Sequence, residues 1–299
     1  MASFVVIALY LAVGVVVRRL PAFPRETGIV LNQFVIHVAL PAIILRRIPE
    51  LAPGSDLLVP ALLPWAMVAL LAPVVVGLAR ALAWDRATTG CLLLLVPLGN
   101  TSFLGIPMVR AFFGEGGIPY ALLYDQLGSF LALATYGAVV LAWHGGDGAR
   151  AGAGALLTRV VSFPPFLALV VAFALRPFPL PAVVLTALDG LGATLVPLVL
   201  VAVGFQWTLD LGRKAWAPLG IGLGLKLVVS PLAAWTLCRA LGLSGEAVRV
   251  AIFEAGMPPM ISAGAVAILA GLAPDLAAAL MGFGILAGFV TLPLLASCL

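Results

Sequence analysis

From Gly90 to Phe113 the chain is apolar enough to cross a bilayer, but its middle reads Val96-Pro97-Leu98-Gly99-Asn100-Thr101-Ser102-Phe103-Leu104-Gly105-Ile106-Pro107. A continuous spanning helix has no use for two prolines, two glycines and an Asn at its centre. Proline removes a backbone donor and clashes with the preceding turn, and glycine costs about 1 kcal/mol relative to alanine. Backbone that breaks at membrane depth survives only where protein or a water-filled cavity meets the freed groups. Taken alone, the stretch reads equally as a kinked structural helix.

A second break decides between these readings. Glu254-Ala255-Gly256-Met257-Pro258-Pro259-Met260-Ile261-Ser262 interrupts the apolar run from Val248 to Leu269. Asn100 and Pro258 are 158 residues apart, Gly99 and Gly256 157, Pro73 and Pro231 158, and Pro41 and Pro197 156. A near-constant offset marks an internal repeat of about half the chain. Interrupted apolar segments at corresponding places in two halves point to a transporter's binding site. The two breaks therefore read as one site.

Composition sets the solvent. Of 299 residues, 63% are hydrophobic and 9% charged, with mean hydropathy +1.21. Soluble domains carry about 25% charged residues, so this chain is a polytopic membrane protein whose first partner is the lipid bilayer. The net charge of +4 is spread over loops without basic clusters, which argues against nucleic acid as a partner. Cys91, Cys238 and Cys298 lie in separate apolar runs and read as free thiols buried as small hydrophobes. In the first run, Arg18 and Arg19 follow the apolar residues instead of preceding them, so it reads as a retained span and not a cleaved signal.

At about 20 apolar residues per span, ten spans emerge, roughly 3–20, 28–48, 57–82, 88–113, 117–142, 159–176, 183–209, 215–240, 247–270 and 275–297. The Gly- and Ala-rich stretch near the midpoint divides the chain into a first five-span repeat, 1–143, a connecting loop, 144–158, and a second repeat, 159–299. Five is odd, so the second repeat enters from the opposite side and the repeats are inverted. The expected fold is all-α: ten transmembrane helices in two inverted five-helix repeats, with a broken-helix crossover in the fourth and ninth spans.

Orientation follows Lys and Arg in short loops. With both termini outside, Arg18, Arg19, Arg25, Arg80, Arg86, Arg150, Arg159, Arg213 and Lys214 fall inside, nine in all. Arg46, Arg47, Arg110, Arg176, Arg239 and Arg249 fall outside, six in all, with Arg46 and Arg47 the discordant pair.

A charge within a span costs about 2.5–3.5 kcal/mol on insertion scales, so each one needs a reason. Glu254 lies four residues before Pro258; it can ligate a cation such as Na⁺, carry a proton, or lock the helix. Its repeat counterpart, 158 residues earlier, is Val96, so the crossover architecture does not itself require a carboxylate. Asp125 lies about ten residues into the fifth span, ~15 Å deep at 1.5 Å per residue. It can line a cavity or hold the broken fourth span. Lys226 is similarly deep; it can neutralise a carboxylate substrate or pair with Glu254 or Asp125, pairing being the expected use. Asp189 and Asp210 lie near span ends and read as wetted, and His37 as a satisfied helix histidine. Asn100, Thr101 and Ser102 can replace lost backbone partners or coordinate a ligand. There is no phosphate-binding Gly-Lys-Ser/Thr loop, Gly-x-Ser-x-Gly elbow or His-Glu zinc motif, so the chain does not read as an enzyme, and no cofactor is implied beyond a coupling ion, Na⁺ or H⁺.

Leu98-Gly99-Asn100-Thr101-Ser102-Phe103-Leu104-Gly105-Ile106-Pro107, then Phe113-Gly114-Glu115-Gly116-Gly117 and Tyr124-Asp125, resembles the auxin efflux carrier family. That family is related to the plant PIN-FORMED carriers and, more distantly, to sodium-dependent bile acid transporters. The resemblance covers essentially the whole chain. It implies the ten-span crossover fold, an elevator-like motion of a crossover-bearing domain against a scaffold, and a homodimer. Glu254-Ala255-Gly256 is similar to the Na⁺-binding glutamate position of the bile acid transporters, and Asn100 to the family's crossover asparagine; Met257-Pro258-Pro259 departs from the amide-bearing bile acid pattern.

Together these readings give a secondary transporter of a small organic anion, a mono- or dicarboxylate of malonate, malate or auxin type, in the plasma (bacterial inner) membrane. Half-helix N-termini at the breaks carry partial positive charge and suit an anionic group. The expected substrate contacts are Asn100, Thr101, Ser102, Pro107, Met257, Pro258 and Pro259, and the ion-coupling residues Glu254, Asn100, Asp125 and Lys226. The competing reading is a membrane ligand sensor without net transport.

Overall fold

The computed structural model describes residues 2–51, 54, 57–145, 158, 161–178, 180–206 and 216–299. Their regular structure is helical, with no strand among the described residues. The helices are α1 Ala2–Val17, α2 Thr27–Arg47, α3 Leu58–Ala81, α4 Arg86–Leu95, α5 Thr101–Phe113, α6 Glu115–His144, α7 Pro164–Ala174, α8 Ala182–Gln206, α9 Trp216–Ala240, α10 Glu246–Ala255, α11 Ile261–Leu269 and α12 Pro274–Cys298. Among the described residues, α2, α3, α6, α8, α9 and α12 are long and apolar enough to cross a membrane. The other expected spans coincide with shorter helices: α1, α7, and the pairs α4/α5 and α10/α11 flanking the two breaks. The 144–158 connecting loop, with Arg150, lies almost wholly outside the described residues, as do Arg159, Asp210, Arg213 and Lys214.

Prolines shape the long helices. A proline inside a helix lacks the N–H for the carbonyl four residues back, and its ring crowds that carbonyl. The ladder opens there into a π turn. Val35–Ala39 in α2, Thr101–Gly105 in α5 and Leu225–Val229 in α9 are such turns. Each ends two residues before a proline: Pro41, Pro107 and Pro231.

The chain divides into two compact units. The first holds Met1–Gly54, Ser102–Leu122 and Arg159–Trp207. In it α1 lies along α8 backbone to backbone: a Cβ on Gly14 would overlap the Val201 carbonyl oxygen, and one on Gly204 the Leu11 carbonyl oxygen. With little hydrophobic drive between helices in lipid, such close approach at small residues is what holds a pair together. α2 packs on α7 and α8. His37, inside the α2 π turn, meets the Gln33 carbonyl through Nδ1 at 2.9 Å, as a satisfied helix histidine does.

The discordant arginines at the end of α2 have acid partners in this unit. Arg46 pairs with Glu50 and, through Nε at 2.9 Å, with Asp189; Arg47 reaches Glu50 at 3.8 Å and Glu115 at 2.5 Å; Arg110 Nε lies 2.8 Å from Glu115. Asp189, expected to be simply wetted, is half-exposed and engaged. The network also lines a cavity of about 240 Å³ with Ile43, Leu188, Gly192 and Ala193.

The second unit holds Ser55–Thr101, Leu123–Thr158 and Thr208–Leu299. Its core gathers Met67 and Leu71 of α3, Leu92, Leu94 and Leu95 of α4, Ala251 of α10, Ala263 of α11 and Leu280 of α12. Cys91 and Cys238 are buried free thiols, but Cys298 is exposed, at the last turn of α12, where the sequence suggested a third buried hydrophobe.

The α1–α8 contact yields a paired test. Gly204→Ala should lower the melting point of the detergent-solubilised protein, by the equivalent of about 1–3 kcal/mol for overpacking. Gly190, on the same helix, has nothing within 4 Å of a Cβ. Gly190→Ala should be neutral or stabilising by up to about 1 kcal/mol. Equal shifts for the two would remove the close packing from the account.

Candidate functional site

The site grows from the first break. α4 is capped by Asp85, whose Oδ1 accepts from the Thr88 amide at 2.7 Å. It stops at Leu95 because Pro97 has no N–H for the Leu93 carbonyl and its ring crowds that carbonyl. The carbonyl that Pro97 leaves unmet, Leu93, accepts instead from the Tyr136 hydroxyl of α6 at 2.8 Å. Beyond Pro97 the chain runs extended and meets the second break. The Asn100 amide donates to the Pro258 carbonyl at 2.7 Å, and the Met260 amide to the Leu98 carbonyl at 3.0 Å. Gly99 and Pro259 form an antiparallel bridge between these bonds. The two interruptions thus satisfy each other's backbone, which is what lets both persist in an apolar interior.

The second break is closed in the same manner. At the end of α10, the Gly256 amide bonds the Phe253 carbonyl at 3.0 Å and the Met257 amide the Glu254 carbonyl at 3.1 Å. The Ala255 carbonyl, four residues before Pro259, accepts from Lys226 Nζ at 3.2 Å and from Ser230 Oγ at 2.9 Å. α12 supplies a floor without side chains. A Cβ on Gly288 would sit 2.6 Å from Pro258 Cγ, and one on Gly284 2.6 Å from Pro259 Cδ.

A third polar group ties α5 to α6. Thr101 Oγ1 donates to Asp125 Oδ1 at 2.6 Å, and Gln126 Nε2 donates to Asp125 Oδ2 at 2.5 Å. Asp125 is therefore placed to hold the start of α5. All three side chains are buried.

Against this satisfied framework a few side-chain atoms stand out. Glu254 is fully buried, and neither carboxylate oxygen has a hydrogen-bond partner among the described residues. The same holds for Asn100 Nδ2 and Gln126 Oε1. Glu254 interacts electrostatically with both Asp125 and Lys226. An unmet amide donor suits an anionic oxygen, and an unmet buried carboxylate suits a cation or a proton. The first amides of α11, which precede its hydrogen-bond ladder, add partial positive charge beside Met260.

Of the residues singled out from sequence, Asn100, Thr101, Met257, Pro258, Pro259, Glu254, Asp125 and Lys226 belong to this one unit. Ser102 and Pro107 belong to the other. Lys226 donates its hydrogen bond to the Ala255 carbonyl and interacts electrostatically with Glu254. A carbonyl freed by proline offers an ammonium a fixed acceptor. Sequence reasoning passed over Ser230, which lies one helical turn after Lys226 and so on its face. It also passed over Tyr136 and the Gly284-x-x-x-Gly288 spacing; the latter is a visible small-residue signal for close approach.

Thr101→Val tests the Asp125 link. Loss of one donor to a buried carboxylate should destabilise the protein by about 1–3 kcal/mol. Gln126→Leu should act in the same direction, and the double variant should fall short of the sum, because both act on one group. Additive or absent losses in thermal melts would mean that Asp125 does not hold α5.

The chain matches the family described as membrane transport protein over residues 2–296. It is similar to an uncharacterized transporter of Methanothermobacter thermautotrophicus, 28% identical over 284 residues that cover 94% of this chain and 92% of the relative. It is also similar to the uncharacterized transporter MJ1031 of Methanocaldococcus jannaschii, 28% identical over 272 residues, 85% of this chain and 83% of the relative.

Proposed function

The chain belongs to the membrane transport protein family, the family of the auxin efflux carriers, and from that premise we propose that it is a secondary transporter of a small organic anion, of the mono- or dicarboxylate class. The observation that carries this reading is the hydrogen-bonded pair of helix breaks inside one compact unit. Its backbone is met, while the Asn100 amide and the Glu254 carboxylate remain open to a ligand. Asn100 Nδ2 and the α11 amides take the substrate's anionic group, with Thr101, Met257, Pro258 and Pro259 around it. Glu254 carries the coupling, as a ligand for Na⁺ or as a proton carrier, with Asp125 and Lys226 setting the charge around it.

The division into two units supports an elevator motion, in which the unit bearing the breaks moves against the other. The 158-residue offset supports ten spans in two inverted repeats, the nine-to-six split of Lys and Arg favours both termini outside the bacterial inner membrane, and the family resemblance implies a homodimer. Single cysteines at the N-terminus and in the Gly145–Gly154 stretch should label from opposite sides of the membrane. Labelling from one side would overturn the inversion.

Saturable, substrate-dependent flux into liposomes bearing the purified protein separates a transporter from a sensor. Asn100→Ala should raise the apparent KM roughly tenfold, as expected for a lost hydrogen bond to a charged group, with the melting point near wild type. Glu254→Gln keeps the shape and loses the charge; it should abolish gradient-driven accumulation and retain part of the exchange of labelled for unlabelled substrate. Normal accumulation by Glu254→Gln would leave the residue as a helix lock.

A further inference from the structure

We propose that Lys226 is the resident cation of this site: its ammonium fills the carbonyl end of α10, where a coupling metal ion would otherwise be held, and the protein works without Na⁺. The proposal rests on the transporter reading for its meaning in coupling; as a statement about cation binding it stands by itself.

The carbonyl end of a helix collects partial negative charge and favours a cation. Here that end lies in the interior and terminates in Glu254-Ala255, so both a carboxylate and exposed carbonyls converge on it. A Na⁺ ion would need several of those oxygens at once. They are already engaged: the Phe253 and Glu254 carbonyls by the Gly256 and Met257 amides, and the Ala255 carbonyl by Lys226 and Ser230 together. A carbonyl oxygen has two lone pairs, and at Ala255 both have donors. The Glu254 carboxylate, by contrast, lacks a donor among the described residues.

Lys226 is built into this position and not merely near it. It is 1% exposed and is among the largest fully buried side chains of the protein. Its π turn lies just before Pro231. Gly99 of the first break clears the space: a Cβ there would come within 3.1 Å of Nζ and 3.4 Å of Cε. The backbone at Gly99 is not in the left-handed region, so the glycine serves room and not conformation: a side chain there would press on the lysine tip. One break thus admits the ammonium and the other accepts its hydrogen bond. An ammonium in an apolar interior persists only with charged or dipolar partners, and Glu254 and the α10 terminus supply both. What accompanies the substrate is then a proton or nothing.

The test uses Na⁺ itself as the probe. The purified protein is melted in sodium chloride or choline chloride at matched ionic strength. Wild type should show the same melting point in both. Lys226→Met keeps the buried stem and removes the charge, opening the Ala255 carbonyl beside Glu254. It should acquire a saturable upward shift with Na⁺ that choline does not give, since a ligand that binds only the folded state stabilises it. A saturable Na⁺ shift in wild type overturns the proposal, whether or not the variant folds. So does a folded Lys226→Met protein that ignores Na⁺. Absence of carboxylate flux would overturn the transporter reading and leave these melts unaffected, so the two failures can be told apart.

Discussion

A proline has no N–H, and in a bilayer the carbonyl four residues before it has no water to turn to. Much of the second unit is an answer to that constraint. Leu93, abandoned by Pro97, is met by Tyr136; Ala255, abandoned by Pro259, is met by Lys226 and Ser230. The extended residues between are met by one another across the Gly99–Pro259 bridge. Tyr136, Lys226 and Ser230 are thus polar side chains that this apolar unit holds for the sake of a backbone carbonyl.

The remainder identifies the site. When backbone demands have been met, the Glu254 carboxylate, Asn100 Nδ2 and Gln126 Oε1 are left without hydrogen-bond partners among the described residues. Architecture and chemistry are carried by different atoms of the same short stretches. Asn100 uses its backbone N–H to hold the second break and keeps its side-chain amide in reserve; Glu254 gives its carbonyl to Met257 and keeps its carboxylate. Asp125 shows the opposite use of a buried carboxylate, with Thr101 and Gln126 engaging both oxygens so that it fastens two helices.

What could be read from sequence follows the same line. Helix positions were legible because apolar runs and turn residues are local, and the pairing of the breaks because the offset between them repeats. The acceptor of Lys226 was not legible: charge alone suggests a carboxylate, and Glu254 is its electrostatic neighbour, whereas its hydrogen bond goes to a carbonyl freed by a proline in the second break. Ser230 and Tyr136 were missed for the same reason, since nothing in their own neighbourhoods shows which carbonyl lies opposite. Ser102 and Pro107 were grouped with Asn100 by adjacency in the chain, but the boundary between the two units falls after Thr101. Hydropathy marked ten intervals, yet six described helices have spanning length; at α4/α5 and α10/α11 a window averages over a break that backbone hydrogen bonding resolves, and α1 and α7 are shorter helices among the described residues.

The arginine pair at the end of α2 has a consequence for how the chain is made. Arg46 and Arg47 emerge from the ribosome with Glu50 close behind, whereas Glu115 follows Arg47 by 68 residues and Asp189 follows Arg46 by 143. A nascent chain that has released α2 alone therefore presents two guanidinium groups to one carboxylate. The other ion pairs at this end form only when helices not yet synthesised bring Glu115 and Asp189 to it.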